Sequence, residues 1–310
     1  MTTLFDVYIF VDWSAVNRLT SATPRRDAIW VGHLTRSGGQ GEQYCRTRYK
    51  AGVYVKSLLL RHAQNGMRVL VGFDFPYGYP SGFAQAIGLP PGSGWSEIWT
   101  ELTTRIQDDL SNRSNRFTVA AELNRIAGNR GEGPFWGCPA GRAIPGLRPT
   151  SPGFSFSAAH EVELKRLRIV ETRLTGVQEA WKLFGAGSVG SQALVGIPYI
   201  CGLRFDGDLN DVSRVWPFET GFNESPSPEK GPFVLHAEIW PGVVRTETDQ
   251  LIDADPSLIR DQAQVRAMCD WAVREDDQGT LGRFFARPVR LADREVESCI
   301  REEGWVLGSE

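Results

Sequence analysis

The chain has 310 residues, 41% of them hydrophobic and 23% charged, a balance that excludes wholesale disorder and allows a substantial core. Its net charge of −3 argues against a protein that coats nucleic acid by bulk electrostatics. The charge is uneven: from Glu219 onward there are 19 acidic against 10 basic residues, leaving the first two-thirds at +6, so a polyanion would be drawn to the middle of the chain.

The run Val7 to Val11 is continuously apolar and rich in β-branched and aromatic residues, as in a strand buried on both faces. It ends at Asp12, followed by Trp13–Ser14–Ala15. A second strand is expected over Ala28–Leu34 and a third over Gln43–Arg48, with Ser37–Gly38–Gly39 as the hairpin turn between them. Val53, Val55, Leu59, Leu60 and Ala63 predict a helix closed by Asn65–Gly66. Val69–Phe73 reads as a fourth buried strand, ending at Asp74 and stopped by Pro76. The intervening helix is the crossover that would set the fourth strand parallel to the first. Asp12 and Asp74 would then share the carboxyl edge of the sheet, where open α/β folds place their chemistry.

An insertion is expected over about residues 76–230, and from Pro76 to about Gly153 the texture changes. Glycine and proline are dense, and arginines recur at 105, 113, 116, 125, 130, 142 and 148. Helices are expected over Glu97–Leu110, Phe117–Ala127, Ser157–Arg166 and Gly176–Phe184, the last from the spacing of Val177, Ala180, Trp181 and Phe184. A charged link from Phe218 to Pro232 leads to a fifth strand, Phe233–Ile239, and helices follow over Ser257–Arg274 and Asp293–Glu303. The whole is read as a single domain, 1–310. The five cysteines are scattered with no Cys-x-x-Cys pair, which fits reduced thiols and a cytoplasmic protein. There is no signal-peptide pattern, and the longest apolar stretch, Ala193–Leu203, is interrupted by Pro198.

Gly185–Ala186–Gly187–Ser188–Val189–Gly190 matches the letters of a dinucleotide-binding loop. Because a helix rather than a buried strand is expected before it, it is read as a phosphate-touching loop or a connector. The acids carry more. Asp12 and Asp74 each end an apolar strand, where an unpaired charge is expensive without a partner. Glu238 lies in the fifth strand with His236 on the same face, and Asp261 opens the helix after it. Such hard oxygen ligands favour Mg²⁺ or Mn²⁺.

With Val11–Asp12–Trp13–Ser14–Ala15, Val71–Gly72–Phe73–Asp74–Phe75–Pro76 and Ala237–Glu238–Ile239–Trp240–Pro241, the chain resembles the DUF429 family, which is assigned to the ribonuclease H-like fold and predicted to be a nuclease. The resemblance implies a mixed five-stranded sheet with helices on both faces and the carboxylates of Asp12, Asp74, Glu238 and Asp261 at one edge. It implies Asp12 as the first-strand acid, Asp74 as the fourth-strand acid and Asp261 as the acid of the last helix. The helix after the third strand, where ribonucleases H carry a glutamate, has Lys56 and no acid. Chains of this look are also linked to molybdopterin dinucleotide metabolism, which points to a small nucleotide.

The expected activity is therefore divalent-metal-dependent phosphodiester hydrolysis, acting on a nucleic acid or a nucleotide. Asp12, Asp74 and Glu238 would hold Mg²⁺ or Mn²⁺, Asp261 would complete the catalytic set, and His236 would orient water. Arg130, Arg142 and Arg148 would grip phosphates, with Trp13 and Ser14 lining the substrate, and Trp95, Trp99 or Trp136 would stack on a base. Two other classes compete: a nucleotide-binding or phosphotransfer protein of the actin-like kinase type, and a non-enzymatic interaction module. The absence of glycine directly after the first strand counts against the kinase type.

Overall fold

The computed structural model describes residues 3–128, 133–139, 141 and 143–309. Its centre is one mixed sheet. Strands β1 (Val7–Asp12), β2 (Ile29–Thr35) and β3 (Gln40–Cys45) form an antiparallel meander, and helix α1 (Arg48–Gln64) crosses over to β4 (Arg68–Phe73), which is parallel to β1. The meander is the local solution because a short turn at Ser37–Gly38 suffices for antiparallel neighbours, whereas the parallel return needs the helix.

The insertion contributes the short α2 (Phe83–Ala86), then α3 (Trp95–Arg105) and α4 (Arg116–Ala127). The two-residue strands β5 (Phe156–Ser157) and β6 (Glu163–Leu164) follow, then α5 (Val189–Arg204) and β7 (Ser213–Val215). The chain returns to the sheet in β8 (Phe233–Ile239), parallel to β4, and closes with α6 (Arg245–Ala254), α7 (Arg260–Asp277), α8 (Asp293–Ser298) and β9 (Val306–Leu307).

The sheet has seven strands in the order β3-β2-β1-β4-β8-β7, with β9 also on β8. The expected five strands are all present, and the correction is two additions. Both lie on one edge of β8: β7 pairs along Val234–His236, and β9 takes up the edge at Glu238 and Ile239. Neither short strand has enough periodicity to be read from sequence.

Two apolar layers sandwich the sheet. Val7, Ile9, Val11, Val69, Val71, Phe73 and Val234 face the layer that includes α1, α3, α4 and α5. Tyr8, Phe10, Leu70, Leu235, Ala237 and Ile239 face the layer containing α7. This alternation decides which side chains at the carboxyl edge can meet. Gly32 and Gly72 allow close packing on the α7 side: a Cβ on Gly32 would stand 2.9 Å from the Cβ of Val265, and one on Gly72 2.6 Å from Ile239 Cγ2.

Two predicted helices are absent. Residues 157–166 instead form a two-residue strand, a single 3-10 turn at Ala159–Glu161 and a second two-residue strand. Residues 176–184 carry no helix either; Trp136 and Lys182 form an isolated bridge there, and the backbone of Trp136 bonds to Trp181 and Leu183. The apolar spacing of Val177, Ala180, Trp181 and Phe184 reflects burial of Ala180 and Trp181 in a turn-rich segment, while Phe184 is exposed. The helix comes afterwards, over Val189–Arg204, and contains Pro198. Helix α6 was also not foreseen. Among the described residues no helix is long and apolar enough to cross a membrane, and all five cysteines are unpaired.

Candidate active site at the carboxyl edge of the sheet

Asp12 is the last residue of β1, and Asp74 follows the last residue of β4; Phe73 lies opposite Val11 in the parallel register. Two residues before each stand Phe10 and Gly72, both on the α7 face. Strand alternation therefore sends the side chains of Asp12 and Asp74 to that same face, toward the start of α7, where Asp261 sits in the first turn. The Asp261 carboxylate accepts a hydrogen bond from the backbone N–H of Asp27 at 2.8 Å, tying α7 to the loop that precedes β2.

These four acids line one cavity of about 550 Å³, together with Trp13–Val16, Arg116, Leu183, the loop Phe184–Ser188 and Gln192. Asp74 is anchored, accepting from the backbone N–H of Trp13 at 2.6 Å. The Asp12 side chain has no hydrogen-bond donor and no cation partner among the described residues. Burial pushes the Asp12 carboxyl well above the usual carboxylate range, and the neighbouring charges of Asp74, Asp261 and Asp27 push in the same direction. Asp74 is raised by burial and by Asp261, against the opposing bond from Trp13. Asp261 is raised by burial, with Asp27 adding to it. The site thus gathers carboxyl groups that no cation pairs with among the described residues.

The same cavity also carries hydrogen-bond donors. Gly185 and Gly187 have φ of 91° and 68°, a left-handed geometry open to glycine, and they turn the chain into α5. The backbone N–H groups of Gly185 to Val189 donate to no acceptor among the described residues, and they lie at the positive end of a 16-residue helix. Arg116 lies beside them, 7% exposed. Its Nε donates to Ser191 Oγ at 3.0 Å, and Nη1 donates to Asn17 Oδ1 at 2.8 Å and Ser114 Oγ at 2.9 Å. It has no carboxylate partner among the described residues. Burial lowers its guanidinium to about 10, with Arg48 contributing.

Comparison of the chain with family models, with curated proteins and with solved structures finds no match. The site is therefore read from its own geometry.

Several sequence expectations are corrected here. Glu238 does not join the acids. It sits on the same sheet face as His236 and Val234, opposite to Asp12 and Asp74, because it is one residue out of step with Ile239 on the α7 side. Its carboxylate takes a two-pronged ion pair from Arg168, Nη2 to Oε1 at 2.6 Å and Nη1 to Oε2 at 2.8 Å, and accepts from the Tyr77 N–H at 2.9 Å. Burial works against the Arg168 charge, but Glu238 and Glu171 outweigh it and hold the guanidinium protonated. His236 is fully buried, shares a hydrogen bond with Ser213 Oγ at 2.8 Å through Nε2, and is driven down to about 3 by burial and then by Arg204. It is a neutral core group, not an orienter of water.

The substrate-binding expectations divide similarly. Arg130 and Arg142 lie outside the described residues. Arg148 is exposed and pairs through its backbone with Trp136 and Gly137, away from the cavity. Trp13 and Ser14 do line the cavity, but the Trp13 ring is 1% exposed and packs edge-on against Phe73 and Tyr199, so what it offers there is backbone. Ser14 Oγ donates to the Asp27 carbonyl at 2.9 Å, which joins the two loops of the rim. Trp99 is buried and donates to the Tyr77 carbonyl, Trp95 stacks on Phe218, and Trp136 donates to Glu179; none lines the cavity.

Missed by sequence reasoning were Asp27 and Arg116. Asp27 lies in a polar loop with no periodic signal, and Arg116 is one of seven arginines between Pro76 and Gly153. Only the fold brings either to the acids. Among the described residues, no three His, Cys, Asp or Glu side chains are already assembled as a metal-ligand set. The donor chemistry nevertheless suits a hard cation: carboxylate oxygens only, with Asp12 lacking any donor among the described residues.

Proposed function

We propose that the chain is a ribonuclease H-like, divalent-cation-dependent phosphodiesterase. The observation that carries the reading is the meeting of Asp12, Asp74 and Asp261, from three separate elements, in one cavity where no cation pairs with them among the described residues. A mixed sheet, with three antiparallel strands followed by parallel β4 and β8, supports the ribonuclease H-like reading.

Asp12 and Asp74 would hold Mg²⁺ or Mn²⁺, with Asp261 drawn in from α7. Such a cation supplies Lewis-acid polarisation of a phosphoryl oxygen and an acidified water. The chain's own part is to bind and orient. The Gly185–Val189 amides and Arg116 offer donors to non-bridging phosphate oxygens in the same cavity. The Trp13 amide fixes Asp74, and the Asp27 amide fixes Asp261, so neither carboxylate swings freely. A phosphotransfer reading shares the glycine loop, but Trp13–Ser14–Ala15 after β1 lacks the glycine hairpin that such chemistry uses.

The test is Mn²⁺ binding by electron paramagnetic resonance and hydrolysis of a bis(p-nitrophenyl) phosphate reporter, in the wild type and in Asp74→Asn. Saturable binding and turnover, both lost in a variant with unchanged circular dichroism, are expected. Turnover that persists in Asp74→Asn overturns the reading.

A further inference from the structure

A second chamber of about 580 Å³ adjoins the acidic cavity and shares Asp74, Gly187 and Gln192 with it. Its other lining includes Trp240, Pro241, Arg245 and Gln264. Asp74 thus stands at the junction of two spaces, each within the size range of small-ligand sites and each large enough for one nucleotide. A terminal phosphate at Asp74 would need only one of them. A phosphate with a substituent on either side would use both.

The far chamber has the chemistry for a nucleotide. Trp240 directly follows β8, where β-strand geometry ends and Pro241 turns the chain. It is half-buried, packs against the α7-side core and closely against Gly242, makes no ring contact with another aromatic among the described residues, and lines the chamber with the rest of its surface. Arg245 opens α6 and is exposed. Its side chain makes no hydrogen bond or ion pair among the described residues. A cation in the first turn opposes the helix dipole, so neither local helix energetics nor a salt bridge explains its place. In the near chamber, Arg116 is buried without a counter-charge beside the free amides of Gly185–Val189. Hydrogen-bond donors therefore exist in both chambers, and a flat apolar surface in one.

We propose that the two chambers are consecutive nucleotide subsites, so that the substrate is a single-stranded phosphodiester of at least two nucleotides, threaded past Asp74, with one base resting on Trp240. This rests on the phosphodiesterase reading of the acids and specifies its substrate. The far subsite contributes stacking at Trp240 and donors from Arg245 to the base and sugar oxygens of the added nucleotide, and the near subsite contributes phosphate donors at Arg116.

The experiment measures binding of the dinucleotide d(TpT) and of dTMP by calorimetry with Ca²⁺ present, in the wild type, Trp240→Ala, Trp240→Leu and Arg245→Ala. Mn²⁺ affinity is measured separately in the same four proteins. In the wild type, d(TpT) should bind about tenfold or more tightly than dTMP, a ratio expected from one added stacked base. Trp240→Ala, Trp240→Leu and Arg245→Ala should each bring the ratio close to one while leaving Mn²⁺ affinity unchanged. Arg245 is exposed, so its variant keeps the test valid if Trp240→Ala loses its fold. A wild-type ratio near one, or a ratio retained in Arg245→Ala and Trp240→Leu, overturns the proposal while Mn²⁺ binding leaves the phosphodiesterase reading standing. If Mn²⁺ does not bind but d(TpT) is still preferred through Trp240 and Arg245, the subsites stand and the metal reading falls.

Discussion

Asp12 illustrates how one side chain records the demand of a site. It ends a fully apolar strand, faces three other carboxylates and has no donor among the described residues. Its raised pKa, and that of Asp74, makes stability depend on pH with a definite sign. Below the ordinary value of 3.8 the carboxyl is protonated in both folded and unfolded chains, and no penalty exists. Above 3.8 the unfolded chain ionises first and binds fewer protons, so native stability falls as pH rises, until the elevated native value is passed. Metal-free protein should therefore unfold at a higher temperature at pH 5 than at pH 8, as followed by circular dichroism. Asp12→Asn should raise the pH 8 melting temperature of the metal-free protein and flatten this slope. A lower melting temperature in that variant would show that Asp12 is compensated by a group not recognised here.

At the scale of elements, the site depends on how closely α7 approaches the sheet. Gly32 faces Val265 with no room for a Cβ, so Gly32→Ala should push α7 outward. Overpacking of this kind costs about 1–3 kcal/mol, and urea denaturation should read a loss of that size. Because Asp261 rides on α7, the same variant should also weaken Mn²⁺ binding, whereas a surface change at Val53 on α1 should affect neither. Arg168 has the opposite character. It joins Glu171 and Glu238 on the sheet face opposite Asp12 and Asp74, and Arg168→Ala would leave two buried carboxylates without their ion-pair partner. A loss of about 3–5 kcal/mol is expected from breaking such a pair on one side. Glu238→Gln, by contrast, should leave Mn²⁺ affinity unchanged, since the α7 face does not see that carboxylate. The reason Glu238 looked like a ligand is instructive: Ala237–Glu238–Ile239 contains an acid at the right strand end, but a one-residue offset in a pleated strand reverses the face.

For the whole molecule, a cation that binds the folded chain alone should stabilise it by mass action, by about 2.7 kcal/mol at a hundredfold excess over its dissociation constant. Thermal melts with and without Mn²⁺ should show that gain in the wild type and lose it in the Asp12→Asn/Asp74→Asn double variant. Most of the framework that makes this possible was legible in the sequence. Val7–Val11, Val69–Phe73 and Phe233–Ile239 are long apolar runs whose burial on both faces needs no further information, and each appears within a residue of its expected bounds. Asp12 and Asp74 follow from those runs, because each stands where its strand stops. What the sequence could not supply is everything that depends on which distant segments come together. The Val177–Phe184 spacing looked helical because burial in irregular structure can mimic a helical period over two turns, and the glycine loop was consequently dissociated from the helix it begins. Asp27, Arg116 and Arg245 carry no periodicity and no motif, and Trp240 stands in the sequence only as part of the Ala237–Pro241 match; the fold alone brings them to the cavities at one sheet edge. Local patterning determines strands and their ends because it acts through backbone alternation and nearby burial, while the composition of the cavity is decided by long-range packing, which no short window of residues encodes.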